Sequence, residues 1–311
     1  MPVGLPRELF ERLSRLNRKR LQETPPSAPD SGLPRAGPPE TDTGPGAATL
    51  AQVIPGEERR AAGASLYVVR RRAGDFVPTV PPGGADDEAG ADALLGRYQR
   101  VFHGAGLAVA PEDLHETVRP LILTDPAAIT YLDIETCGLA GEPIFLVGVL
   151  RYRDRELLIE QFLARDYSEE RAVLAAAWEV LADTACLITY NGKTFDMPTV
   201  GARSLACGLF HCPAVPEHVD LLFEARRRWR RVLPNCRLQT IEQFICGRRR
   251  AGDIPGHEIP AAYHEFVRAY RSQDTGRRAR SLRCLQTILH HNALDLLTMA
   301  DLVTRLLAGF D

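Results

Sequence analysis

The chain has 311 residues and is 45% apolar, enough to build a real core in one large domain or two modest ones. No stretch approaches the ~20 consecutive apolar residues of a membrane span, and the start, Met1-Pro-Val-Gly-Leu-Pro-Arg-Glu8, lacks an apolar leader, so a cytoplasmic protein with no membrane partner is expected. The formal net charge of −2 is unevenly spread: residues 221–285 carry 15 Arg against 6 Asp or Glu, and residues 1–22 carry 6 Lys or Arg against 2 Glu, which points to a polyanionic partner.

Residues 1–24 contain a basic amphipathic helix, with Leu5, Leu9, Leu13 and Leu16 at helical spacing between Arg and Lys; it either packs on the body or binds an unidentified protein partner. Residues 25–46 hold 7 Pro and 4 Gly and read as a disordered linker. Residues 47–126 form a poorly defined extension, with one strand at 64–70, a loop at 81–88 and no assignable function.

From 127 to 311 the pattern becomes α/β. Strands are predicted at 128–134, 144–152 and 156–163. A helix follows, capped by Ser168 and running to about 182. Then come a buried strand at 185–190, a helix at about 196–207, a strand within 215–222, and helices ending in a long one at 282–308. This order describes a mixed five-stranded sheet with helices on its faces.

Asp133 and Glu135 close the apolar run that begins at Ala128. Residues two apart on a strand share a face, so their carboxylates should lie side by side. Like charges held together call for a cation, so the pair is either a divalent-metal site or two solvated acids at a strand end. Asp196 follows a strand and a glycine turn in Tyr190-Asn-Gly-Lys-Thr-Phe-Asp196; it is either a ligand at a strand end or a helix N-cap. Asp295 sits amid Leu289, Leu294, Leu296 and Leu297, costly unless paired or metal-bound, or else lies on a solvated stripe. The seven scattered cysteines read as reduced thiols, and Cys207, His211 and Cys212, the one tight cluster, have no second cluster at zinc-finger spacing.

Three motifs together resemble the DEDD exonuclease group of the ribonuclease H-like fold. Asp133-Ile-Glu-Thr-Cys-Gly-Leu139 is similar to its first motif, with Cys137 where Thr is common. Tyr190-Asn-Gly-Lys-Thr-Phe-Asp196 resembles the second, especially as found in the proofreading domain of family B polymerases, and His291-Asn-Ala-Leu-Asp295 resembles the third. Leu233-Pro-Asn-Cys-Arg-Leu-Gln-Thr-Ile-Glu242 and Gly252-Asp-Ile-Pro-Gly-His-Glu-Ile-Pro-Ala-Ala-Tyr263 point within that group to the bacterial YprB-like, ribonuclease H-like domain. The resemblance covers roughly 127–308.

It implies that Asp133, Glu135, Asp196 and Asp295 hold two Mg²⁺ or Mn²⁺ ions ~4 Å apart, with Asp133 bridging both. One ion would activate a water and the other would stabilise the leaving 3′ oxygen. The implied activity is 3′–5′ exonuclease hydrolysis of DNA or RNA, acting on a single-stranded 3′ end. A nucleic-acid-binding module with a degenerate site and a structure-selective endonuclease are the alternatives. The group also needs a residue that orients or deprotonates the water. Both His291 and His290 are catalytic candidates; on a helix His291 lies ~40° from Asp295 and His290 ~140° away, which favours His291 if the helix already runs through 290. Leu139 would wedge against the terminal base and Asn191 would contact the substrate backbone or orient an acid. Lys193 would meet a phosphate. Arg226 and Trp229, in a run of five Arg around one aromatic, would supply phosphate contact and base stacking, unless the run is a solvated helix face. His218 and Asp220 end a strand near the site.

Overall fold

Strand pairing organises the molecule around one mixed sheet. In the computed structural model, the residues described are 49–76, 91–103, 114–138, 141–250 and 252–308. The basic helix expected at 1–24, the linker at 25–46, the loop at 81–88 and Leu139 lie outside them.

In chain order the strands are β1 (Glu57–Ala61), β2 (Ala64–Arg72), β3 (Ile129–Thr136), β4 (Ile144–Arg153), β5 (Glu156–Leu163), β6 (Cys186–Thr189) and β7 (Glu217–Asp220). The sheet order is β1-β2-β5-β4-β3-β6-β7. It therefore has seven strands where five were expected. The additional two form a hairpin, turned at Ala62 and Gly63 with φ of 50° and 84°. Both values lie in the left-handed region that two-residue hairpin turns use. β2 pairs antiparallel with β5 from Tyr67↔Leu163 to Arg72↔Leu158. Leu66, Val68 and Val69 are fully buried, so part of the region set apart as an extension completes the sheet and its core. The periodicity of 64–70 suggested a strand but could not supply its partner, since pairing across some 90 residues leaves no local mark.

β3, β4 and β5 form an antiparallel meander, with Asp154 and Arg155 turning the β4–β5 hairpin. β6 and β7 add in parallel beside β3 after helical crossovers. The helices are α1 (Leu50–Val53), α2 (Ala91–His103), α3 (Pro120–Leu123), α4 (Glu170–Ala182), α5 (Asp196–Ala206), α6 (Leu221–Trp229), α7 (Leu238–Phe244), α8 (Ile259–Tyr270) and α9 (Thr275–Ala308).

Three boundaries matter for the site. β3 runs on to Thr136, so Glu135 lies within the strand and not beyond its end. α9 begins at Thr275, well before 282, and so passes through both His290 and His291. Ser168 does not cap α4: the Asp166 carboxylate accepts from the Ser168 N–H at 3.0 Å, a 3-10 turn follows, and α4 starts at Glu170. α9 packs across β3, β4 and β5 and against α8 and α2.

Candidate active site

The β3 pair is built first. Asp133 faces Gly148 on β4, and Gly148 faces Gln161 on β5. The missing side chain at Gly148 opens the gap that the Asn292 amide of α9 fills: a Cβ there would stand 2.0 Å from Asn292 Oδ1. Asn292 is fully buried. It donates to Asp133 Oδ2 at 2.8 Å, while its own Oδ1 accepts from Gln161 Nε2 at 2.8 Å. Gln161 also donates to the Leu289 carbonyl at 2.7 Å. A chain of amides thus ties Asp133 to two strands and one helix, fixing the carboxylate against β3.

Asp196 opens α5 and is buried. Phe195 holds the N-cap position without a side-chain cap bond, so Asp196 does not serve as the N-cap. The preceding turn is organised by Asp220 at the end of β7. Its carboxylate accepts from the N–H groups of Asn191 at 2.8 Å, Lys193 at 3.1 Å and Leu222 at 3.0 Å, so one side chain shapes the turn and caps α6. Asn191 has φ of 71°, a conformation asparagine tolerates better than most residues. Its side-chain oxygen accepts from Thr194 Oγ1 at 2.8 Å.

On α9, His291 and Asp295 stand one turn apart, with His291 Nε2 3.5 Å from Asp295 Oδ2. His291 Nδ1 lies 2.9 Å from both carboxylate oxygens of Asp253. Arg250 bonds Glu242 through Nε at 2.5 Å, Asp253 through Nη1 at 3.2 Å and Asp295 through Nη2. His290 points elsewhere: its ring stacks on Phe76 with centroids 5.8 Å apart.

These groups perturb one another's ionisation. Burial, followed by the charges of Asp295, Glu135 and Asp196, holds Asp133 well above the ordinary carboxylate range, against the Asn292 hydrogen bond. Glu135 is pushed up to about 8 by burial and the Asp295, Asp196 and Asp253 charges, although His291 opposes them. Asp196 is pushed to about 7, chiefly by burial, with Asp220 and Asp295 adding to it against backbone hydrogen bonds. Burial disfavours charge on His291, but its Asp253 hydrogen bond and the surrounding carboxylates hold its pKa above the ordinary value. Burial lowers His290 instead.

Carboxylates this crowded want a cation, and hard oxygen donors suit Mg²⁺ or Mn²⁺. Among the described residues no three His, Cys, Asp or Glu side chains form a ready-made ligand shell. One Asp295 oxygen is engaged by Arg250 and one Asp133 oxygen by Asn292. The donor chemistry fits a divalent ion, with Asp133, Glu135 and Asp196 the residues that would hold it and Asp295 available through its second oxygen.

The structure thus brings Asp133, Glu135, Asp196, Asp295 and His291 together. Asn191 and Lys193 are exposed on the turn before α5, and Arg226 is exposed on α6. Trp229 is a correction: it is 2% exposed and its indole has no open face for a base. In the same run Arg227 and Arg228 both pair with the buried Glu224, which offsets one of the five positive charges. Cys207 bonds Glu170 at 3.5 Å. Sequence reasoning missed Arg250, Asp253, Asn292 and Gln161 as site residues. Asp253 lay within a motif already singled out, and Asn292 beside His291 within another; what was missing was the knowledge that the 252–263 segment meets α9.

A model of the RNase H superfamily matches residues 130–307, a span that runs from β3 into α9 and includes all four acids. The chain belongs to the RNase H superfamily. Its RNase H-like domain is YprB-like: over 178 residues it is 35% identical to the uncharacterized protein YprB of Bacillus subtilis (strain 168), covering 55% of this chain and 40% of that protein. The chain therefore spans well under two thirds of that relative's length. A family B DNA polymerase from the hyperthermophilic archaeon Pyrobaculum calidifontis overlays with a TM-score of 0.42 and 16% identity, covering 58% of this chain and 27% of the polymerase. Among the described residues no helix is long and apolar enough to cross a membrane.

Proposed function

We propose that this RNase H superfamily protein is a divalent-metal-dependent 3′–5′ exonuclease acting on single-stranded ends of DNA or RNA. One observation supports the reading: four carboxylates from β3, α5 and α9, buried or half-buried, interact with one another and with His291, and burial with mutual repulsion raises Asp133, Glu135 and Asp196. Asp133, Glu135, Asp196 and Asp295 would hold two Mg²⁺ or Mn²⁺ ions. When bound, these ions supply charge neutralisation and Lewis acidity at the scissile phosphate.

The chain's own residues do the rest. Asn292 and Gln161 hold Asp133 in place. The Asp220-braced turn presents Asn191 and Lys193 to a phosphate or sugar. His291 takes the proton of the attacking water, a role suited to an imidazole near neutral pH. His290, packed on Phe76, is the weaker candidate.

A 3′-labelled and a 5′-labelled oligonucleotide, each incubated with Mg²⁺ or Mn²⁺, test this. The exonuclease reading expects a ladder of single-nucleotide steps from the 5′ label and a labelled mononucleotide from the 3′ label, both lost in Asp133→Ala and Asp196→Ala. Equal activity in parent and variants would refute it, and large internal fragments would indicate an endonuclease. Arg250 already neutralises one Asp295 oxygen, which favours a second reading: a binding module with a degenerate site. Calorimetry separates the two, since the nuclease binds Mn²⁺ and the module binds nucleic acid without it.

A further inference from the structure

We infer that Asp253 and Arg250, on the segment between α7 and α8, are positioning residues that hold the His291 ring with its Nε2 lone pair toward the carboxylate cluster. The kinetic consequence rests on the exonuclease reading; the ring orientation does not.

The argument starts from hydrogen-bond chemistry. An ionised carboxylate can only accept. Asp253 is such an acceptor, since the Arg250 guanidinium pairs with it at 3.2 Å and favours its ionised form. Both of its oxygens lie 2.9 Å from His291 Nδ1, so that nitrogen carries the proton. In the neutral ring Nε2 then bears the lone pair. Nε2 is 3.5 Å from Asp295 Oδ2, too far for a hydrogen bond. The lone pair is thereby left facing the acids, where a general base is needed.

Arg250 makes the arrangement rigid. Its three nitrogens reach acids on three segments: Glu242 on α7, Asp253 on its own segment and Asp295 on α9. Its side chain is only 7% exposed, and Glu242 beyond it is buried. The guanidinium therefore pins Asp253 against His291 and Asp295 at once. A buried ionic network contributes little net stability compared with apolar packing. Orientation of a reacting group is the better account of it, as with the carboxylate partners that fix histidine tautomers elsewhere. The His290 ring stacks on Phe76.

The test uses the full chain labelled with ¹⁵N-histidine, at a pH where the ring is neutral, without metal or nucleic acid. Long-range ¹H–¹⁵N spectra report which ring nitrogen is protonated, and His291→Gln identifies the signals. The parent should show Nδ1–H and a bare Nε2. Asp253→Asn, nearly isosteric, should shift the population toward Nε2–H, and Arg250→Gln should do so more weakly. With Mn²⁺ and a labelled single-stranded oligonucleotide, Asp253→Asn should lower kcat roughly 100-fold with KM little changed, and Asp253→Glu should recover part of it. An Nε2–H parent overturns the inference without any variant, as does an unchanged tautomer in Asp253→Asn. A tautomer switch in a protein with no metal-dependent hydrolysis supports the orientation and refutes the exonuclease reading instead.

Discussion

Asp133 owes its position to an absence on the neighbouring strand. A methyl group at Gly148 would stand 2.0 Å from Asn292 Oδ1 and 2.7 Å from its Cγ, with β3 and β5 on either side. Gly148→Ala should therefore lower stability by about 1–3 kcal/mol, read by chemical denaturation, and loosen the Asp133 contact. His218 offers a pH-dependent test. Burial, helped by the Lys193 charge, lowers it to about 4 from 6.5, and Thr189 Oγ1 lies 2.8 Å from its Nε2. The fold thus favours the neutral ring. Its contribution is fully present above pH 6.5 and is lost as pH falls toward 4. A shift of this size in a fully buried group is worth about 3 kcal/mol, and partial exposure screens it to about 1 kcal/mol. His218→Gln should flatten the stability profile between pH 6.5 and 4, leaving the difference from parent smallest at the acid end. Asp133, Glu135, Asp196 and Asp295 stood out as candidates in the sequence because acids beside apolar elements are conspicuous and their motifs resemble those of the DEDD exonuclease group. Gln161 and Asn292 were not read as site residues, since an amide on a strand or helix looks the same whether it is solvated or buried.

At the scale of elements, α6 shows where composition misleads. Five Arg around one Trp suggested a nucleic-acid face, yet the helix buries Trp229 and turns Arg227 and Arg228 onto Glu224. Helical spacing explains it: residues three and four apart share a face. Trp229→Ala should cost about 3–5 kcal/mol of stability as a core truncation, whereas the exposed Arg226→Ala should change it by less than about 0.5 kcal/mol. Thermal melts of the two variants check this contrast. Asp220 acts between elements. Asp220→Ala removes three accepted N–H bonds, so it should destabilise by about 2 kcal/mol. It should also mobilise the Asn191 turn, visible as faster amide exchange at Asn191 and Lys193. The strands within 129–220 were largely readable in position, because each is a short apolar run bounded by turns or helices. The start of α9 was not, since the arginines of 277–283 hide its apolar stripe.

For the molecule as a whole, β1 and β2 are part of the sheet and not an appendage. Removing residues 1–72 would strip β5 of its neighbour and expose its backbone edge, so the truncated chain should aggregate on size-exclusion chromatography. The crowded carboxylates give a second global prediction. Mn²⁺ at about 100 times its Kd should raise stability by about 2.7 kcal/mol, a gain seen as a higher melting temperature and abolished in Asp133→Ala. The sequence by itself determined the α/β class, because alternation and helical spacing leave local signatures, and it offered four acids and two histidines as candidates through their motifs' resemblance to the DEDD exonuclease group. Tertiary structure alone decided that a distant hairpin completes the sheet, that Trp229 is core, and that His291 meets Asp253 while His290 meets Phe76. Those facts depend on which surfaces meet. Contacts between segments 38 to 214 residues apart follow from packing the whole chain at once, with no trace in any short window. The Asp133/Glu135 pair was readable as two neighbouring acids; the amides, arginine and histidine that give it a defined environment came only with the fold.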